Sequence, residues 1–231
     1  MRATGSIAVC LLVCLALSAT ARADVLLHYE FTYSPSPTTS AANMDTAAAK
    51  FTQGAANVLN YEWTSSVMQP PIVPPELAIY PQTTTANCTE AMAAGDYVEF
   101  TVAPMAGYMV NVASMSGIFG NSGGPQNRWY NIFASKDGGA TWTSITGGDY
   151  MPASQGDVPT GEQHSYTLTA LGYTGGPVTF RIAASCNGGA VWHMIYVDNL
   201  DVNGTVAPIP EPATMALLGL GLAGLLLRRK K

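Results

Sequence analysis

Positive charge is scarce in this chain, and the scarcity excludes a class of partners. Between Asp24 and Pro210 only Lys50, Arg128, Lys136 and Arg181 stand against fourteen acids, a net charge of −10. Phosphate recognition needs a clustered basic surface, so no nucleic-acid partner is expected. Histidine is also rare: His28, His164 and His193 are the whole complement, with no triad spacing and no metal-ligand cluster. Long helical periodicity is missing, which excludes an all-α body. With no catalytic constellation in view, the chain reads as non-enzymatic and without a cofactor.

What is present concentrates first at the two ends. Arg2, an apolar run from Ile7 to Leu17 and the small-x-small site Ala21-Arg22-Ala23 predict a secretory signal peptide over residues 1–23, cleaved after Ala23 by signal peptidase following Sec-type export. Cys10 and Cys14 lie inside the apolar run behind Val9 and Val13, so a lipoprotein is not expected. At the other end, residues 207–231 hold Pro210-Glu211-Pro212, then uncharged Ala213 to Leu227, then Arg228, Arg229, Lys230 and Lys231. As a helix, those fifteen uncharged residues would rise about 22 Å, a short span for a hydrocarbon core of about 30 Å. The four cations can sit among headgroups on the cytoplasmic side, which places everything before them outside. The two prolines stop a helix from running back into the body and leave Glu211 extended.

The order of these three parts resembles the PEP-CTERM sorting signal of Gram-negative bacteria, with Ile209 where that signal often has Val. The resemblance implies recognition by an exosortase and delivery of the body to the cell surface or extracellular matrix, after an interval of membrane anchoring through a C-terminal transmembrane helix. Gly219, Gly221 and Gly224 spell G-x-G-x-x-G within the same segment, but no strand precedes them and no acid follows, so a dinucleotide site is excluded.

The stretch between the signals, residues 24–206, is long enough for one domain with a real core. Val98, Phe100 and Val102 alternate with Tyr97, Glu99 and Thr101; Val178, Phe180 and Ile182 alternate with Thr179 and Arg181; Tyr166 and Leu168 alternate with Thr167 and Thr169. Turn signals such as Asp137-Gly138-Gly139, Gly147-Gly148-Asp149 and Gly175-Gly176-Pro177 separate such runs. The expected fold is all-β, a jelly-roll-like antiparallel β-sandwich opening with a strand over Asp24 to Tyr33 and closing with one over Val191 to Val202. Between Phe31 and Pro81 only a helical turn near Met44 to Lys50 and a proline-rich loop from Pro70 are expected.

Candidate sites within the body are few. Ser135-Lys136-Asp137-Gly138-Gly139-Ala140-Thr141-Trp142 is similar to the Asp-box, in which the carboxylate accepts turn N–H groups and the Trp packs beneath. It occurs once, so a propeller is not expected. Cys88 and Cys186 remain after signal removal, and export makes a disulfide between two loops the expected state. Trp192, Tyr196, Trp129 and Tyr130 are the candidates for stacking on sugar rings, with core packing as the alternative. Asn199 to Gly204 begins like an EF-hand loop, yet Pro210 stands where a bidentate Glu belongs. Asp198 or Asp201 is left as a possible contributor to a structural Ca²⁺. Two functions follow: an exported, sorted surface or matrix protein, or a carbohydrate-binding module for extracellular polysaccharide.

Overall fold

Period-two alternation builds two antiparallel sheets whose apolar faces meet. The computed structural model describes residues 24–31, 34–53, 58–60, 77–81, 84–121, 128–152, 154–155, 158–168, 172, 174–186, 195–209, 219 and 221. A nine-stranded sheet contains β1 (Asp24–Tyr29), β2 (Thr39–Ser40), β4 (Val58–Asn60), β5 (Leu77–Tyr80), β7 (Tyr108–Asn121), β10 (Ser154–Gln155), β11 (Val158–Thr167), β12 (Thr174–Gly175) and β14 (Ile195–Pro208). A five-stranded sheet runs in the order β3 (Thr52–Gln53), β6 (Tyr97–Val102), β13 (Val178–Cys186), β8 (Arg128–Ser135), β9 (Thr143–Ser144). The antiparallel two-sheet architecture therefore matches the expectation.

Tyr29, Phe31, Phe51, Phe100 and Phe180 interlock between the sheets with ring centroids 4.5–5.6 Å apart. Each is buried, and truncating one such ring typically costs about 3–5 kcal/mol. The Tyr29 hydroxyl, sealed among them, donates to the Ala49 carbonyl at 2.6 Å, so burial strands no polar atom there.

Strand limits depart from the expectation where the backbone says why. The opening strand ends at Tyr29 because Phe31 adopts φ 50°, which turns the chain out of the sheet. The closing strand is β14, and it runs on to Pro208 rather than stopping at Val202. It is the sheet's organiser, pairing with β7, β1 and β5. Its partner β7 has no counterpart among the sequence-based expectations. Where the two cross the bulge after Asn203, a Cβ on Gly204 would reach Leu26 Cδ1 at 2.8 Å and collide with the Asn111 carbonyl. Only glycine fits.

Cys88, expected in a loop, instead begins helix α1 (Cys88–Ala94). Asn87 Oδ1 accepts from Glu90 N at 2.8 Å, and Glu90 reaches back to Ala86 N and Asn87 Nδ2, both at 3.0 Å. Gly95, at φ 91°, closes the far end. The helix buries Cys88 and Ala91 against the outer face of the five-stranded sheet, beside Phe133 and Ala183.

Candidate functional site

The expected sugar-stacking residues do not form one surface. Tyr196 is buried with Ala78 and Ile118 on the outer face of the nine-stranded sheet. Tyr130 is buried between the sheets, its ring stacked on Phe119 at 4.5 Å and its hydroxyl 2.6 Å from that of Tyr166. Burial, followed by the Tyr166 contact, pushes the Tyr130 phenol far above its ordinary range. Both belong to packing, which corrects their assignment as ligand contacts. Trp129 is half-buried against the Cys88, Phe133 and Ala183 cluster, and Trp192 lies outside the described residues.

The accessible aromatic arrangement is elsewhere, on the outer face of the five-stranded sheet. Antiparallel pairing sets Arg181 of β13 opposite Glu99 of β6 and Phe133 of β8. The guanidinium carbon of Arg181 lies 4.0 Å from the Tyr97 ring centroid and 4.2 Å from that of Trp142, while its Nε donates to Glu99 Oε2 at 2.7 Å. One cation thus orders two half-buried rings and neutralises one acid.

Trp142 is delivered by the Asp-box turn. Ser135 Oγ donates to Asp137 Oδ1 at 2.7 Å and accepts from Gly139 N at 2.8 Å; Asp137 Oδ1 also accepts from Thr141 N at 2.9 Å. The hydroxyl and N–H of Thr141, then Ser135, hold the Asp137 carboxyl well below the usual range. The turn is thereby locked as an anion-centred hairpin, and its Trp reaches Arg181 as well as packing against Gly139. Sequence reasoning identified the turn but missed the shelf, because the 97–102 to 178–186 pairing is non-local.

Cys88 and Cys186 are both buried and carry separate thiols in the structure, so the expected disulfide is not formed there. Their surroundings differ. Burial, followed by the Asp149 carboxylate, pushes the Cys88 thiol far up, whereas Cys186 lies beside the Arg128 guanidinium. Asp149 also accepts from Cys88 N at 2.8 Å and Asn131 Nδ2 at 3.0 Å, pinning the start of the helix.

Two histidine clusters complete the inventory. His28 Nδ1 lies 2.7 Å from Asp201 Oδ1, and its Nε2 lies 3.5 Å from Glu30 Oε1. Burial pulls the imidazole pKa down, but the two carboxylates raise it further, leaving it above 6.5. Glu162 accepts from the Tyr150 hydroxyl at 2.7 Å and lies 3.2 Å from His164 Nε2; the Glu162 contact helps push Tyr150 up to about 12. Asp201 is engaged by His28 and Asp198 by the Asn199 N–H at 2.8 Å. No group of three or more His, Cys, Asp or Glu among the described residues is arranged to hold a metal ion.

The tail leaves from the edge of this body. β14 stays paired through Pro208, opposite Tyr108, and Ile209 N donates to the Gly107 carbonyl at 2.8 Å. Pro210, Glu211, Pro212 and Arg228 to Lys231 lie outside the described residues, as do Ala21 and Ala23 of the expected cleavage site. No helix among the described residues is long and apolar enough to cross a membrane.

Comparison with curated proteins found no match. Among solved structures, the chain is similar to a CBM4 structure at 12% identity and TM-score 0.33, covering 69% of this chain and 94% of that one. It is also similar to CBM28, a carbohydrate-binding module specific for non-crystalline cellulose, at 8% identity and TM-score 0.40, covering 73% of this chain and 96% of that one. A cyclase from Fischerella sp. TAU aligns at 12% identity and TM-score 0.34, covering 84% of this chain and 93% of that one. At these TM-scores none of the likenesses carries a statement about this chain. The tail is different: a family model of the PEP-CTERM protein-sorting motif matches residues 208–230, and the chain carries that sorting motif at the foot of its last strand.

Proposed function

We propose that the protein is an exported, non-enzymatic surface or matrix protein whose β-sandwich is delivered and processed through its C-terminal signal. Residues 1–23 act as the export signal, 24–206 as the displayed domain and 207–231 as the sorting segment, recognised by an exosortase. The observation that carries this reading is the sorting motif itself, which matches residues 208–230. Intact mass of the protein from producing cells, separated into membrane, surface and medium, tests it. A surface or medium species beginning at Asp24 and ending near Pro210 is expected. A membrane species that keeps Arg228 to Lys231 would replace sorting with plain anchoring.

A second reading adds a ligand to the displayed domain. Trp142 and Tyr97, held half-exposed by Arg181, offer ring faces of the kind pyranoses stack on. The acidic body favours neutral over anionic polysaccharide. Retardation in affinity gels containing neutral glucans, weakened by Trp142→Ala, is expected; mobility unaffected by every glycan tested removes this reading and leaves the first intact.

A further inference from the structure

Three uncharged segments meet where the tail departs. The β6–β7 connection and strand start, Ala103 to Met109, contain no Asp, Glu, Lys or Arg; neither do Gly175-Gly176-Pro177 or the end of β14, Thr205 to Ile209. Pairing brings them together: Pro208 faces Tyr108, Gly175 faces Val110, and Val178 faces Val102. Met105 and Ile209 are each 52% exposed, and Ala106, Gly107, Gly175, Gly176, Pro177 and Pro208 are exposed with them. In a body with fourteen acids these three segments carry none. Acids flank these segments: Glu211 follows Ile209 by two residues, and Asp45 donates its backbone N–H to the Ala103 carbonyl at 2.9 Å. Asp45 Oδ1 accepts from Ala47 N and Ala48 N, Asp137 centres its own turn, and Asp24 lies farther up the sheet opposite Gly204.

Chain length fixes what this end must face. Ile209 is held to Gly107, and the uncharged stretch begins at Ala213. Four residue steps reach at most about 14 Å when fully extended. The headgroup layer occupies about 6 Å of that. The foot of the sandwich therefore cannot stand off from the headgroups by as much as one helix diameter, roughly 10 Å. A fifteen-residue span, being short for the bilayer, draws the flanking residues inward and shortens the gap further.

Resting on the proposed reading of residues 207–231 as a sorting segment, held in the membrane before it is processed, we infer that the precursor sits foot-down on the bilayer, with Met105 and Ile209 against the lipid headgroups. The partner is the lipid surface itself. Contact follows from the short tether between Ile209 and Ala213, and the three segments themselves place no fixed charge against the headgroups.

The test uses the full chain without its signal, inserted into phosphatidylethanolamine/phosphatidylglycerol vesicles, with bimane placed by Met105→Cys or, at the far end on exposed helix α1, by Thr89→Cys. Lipid-borne nitroxide should quench the label at position 105 several-fold more than at position 89. Twelve Gly/Ser residues inserted between Ile209 and Pro210 should abolish that difference while alkaline extraction still leaves the chain in the membrane. Equal quenching at both positions in a chain that resists extraction overturns the inference and leaves the sorting reading standing. A chain that washes off the vesicles overturns both.

Discussion

The outer faces of the two sheets follow the same alternation of residues, yet they meet water differently. On the five-stranded sheet, helix α1 roofs Phe133 and Ala183, and Arg181 is clasped between Tyr97 and Trp142. On the nine-stranded sheet, Tyr196, Ile118 and Ala78 form a small apolar cluster, and His28, Glu30 and Asp201 form a partly exposed charge group. The first face is held by side chains that lose water together; the second depends on close backbone contact beneath a solvated surface. Their responses to substitution should therefore differ in kind.

The largest effect belongs to the nine-stranded sheet. Gly204→Ala should force β14 and β7 apart at Asn111 and lower stability by about 3 kcal/mol, read from urea unfolding. A neutral result would show that the seam can yield. Next comes Arg181→Ala, which removes the cation from both rings and strands Glu99; a loss of about 2 kcal/mol and increased Trp142 exposure by fluorescence are expected. An equal response in Trp142→Phe would weaken the view that the clasp is a cation effect. Asn87→Ala should cost about 1 kcal/mol by removing the helix cap, with hydrogen exchange rising locally in residues 88–94.

The smallest effect is on the charged face, and its sign is set by pH. The His28 pKa is raised in the fold, so its contribution is complete below about pH 6.5 and is lost as pH rises through the folded value. His28→Gln should lower the thermal midpoint at pH 5.5, by an amount corresponding to about 0.5 kcal/mol for a partly exposed pair, and leave it nearly unchanged well above the folded pKa. An unaltered pH profile would mean that solvent screens the group fully.

How far the sequence carried depends on the range of the interaction. Strands β6 and β13 were legible because Val98, Phe100 and Val102, and Val178, Phe180 and Ile182, alternate cleanly and bury on one side. The Asp-box turn was legible because all its bonds lie within seven residues. Strand β7 was obscured by Gly117, Gly120 and interspersed serines, whose small side chains supply little period-two contrast. Helix α1 had a readable signal, Asn87 and Glu90 three apart with Gly95 behind, but seven residues give too little periodicity to draw attention. Tyr97, Arg181 and Trp142 come from three separate elements, and no local pattern announces their meeting.

β14 is the penultimate segment of the chain and the strand that joins β7, β1 and β5 into one sheet. A polypeptide made and threaded from its N-terminus therefore holds β1, β5 and β7 for some time with no common partner. Completion of the fold is timed by the arrival of residues 195–208, directly before the sorting motif. On the proposed export, the strand that completes the sheet crosses after β1, β5 and β7, so translocation carries an unfinished sheet until it arrives. Under the proposed export, the strand that completes the sheet and the sorting motif emerge one directly after the other, so closure of the body and arrival of the tail are successive steps.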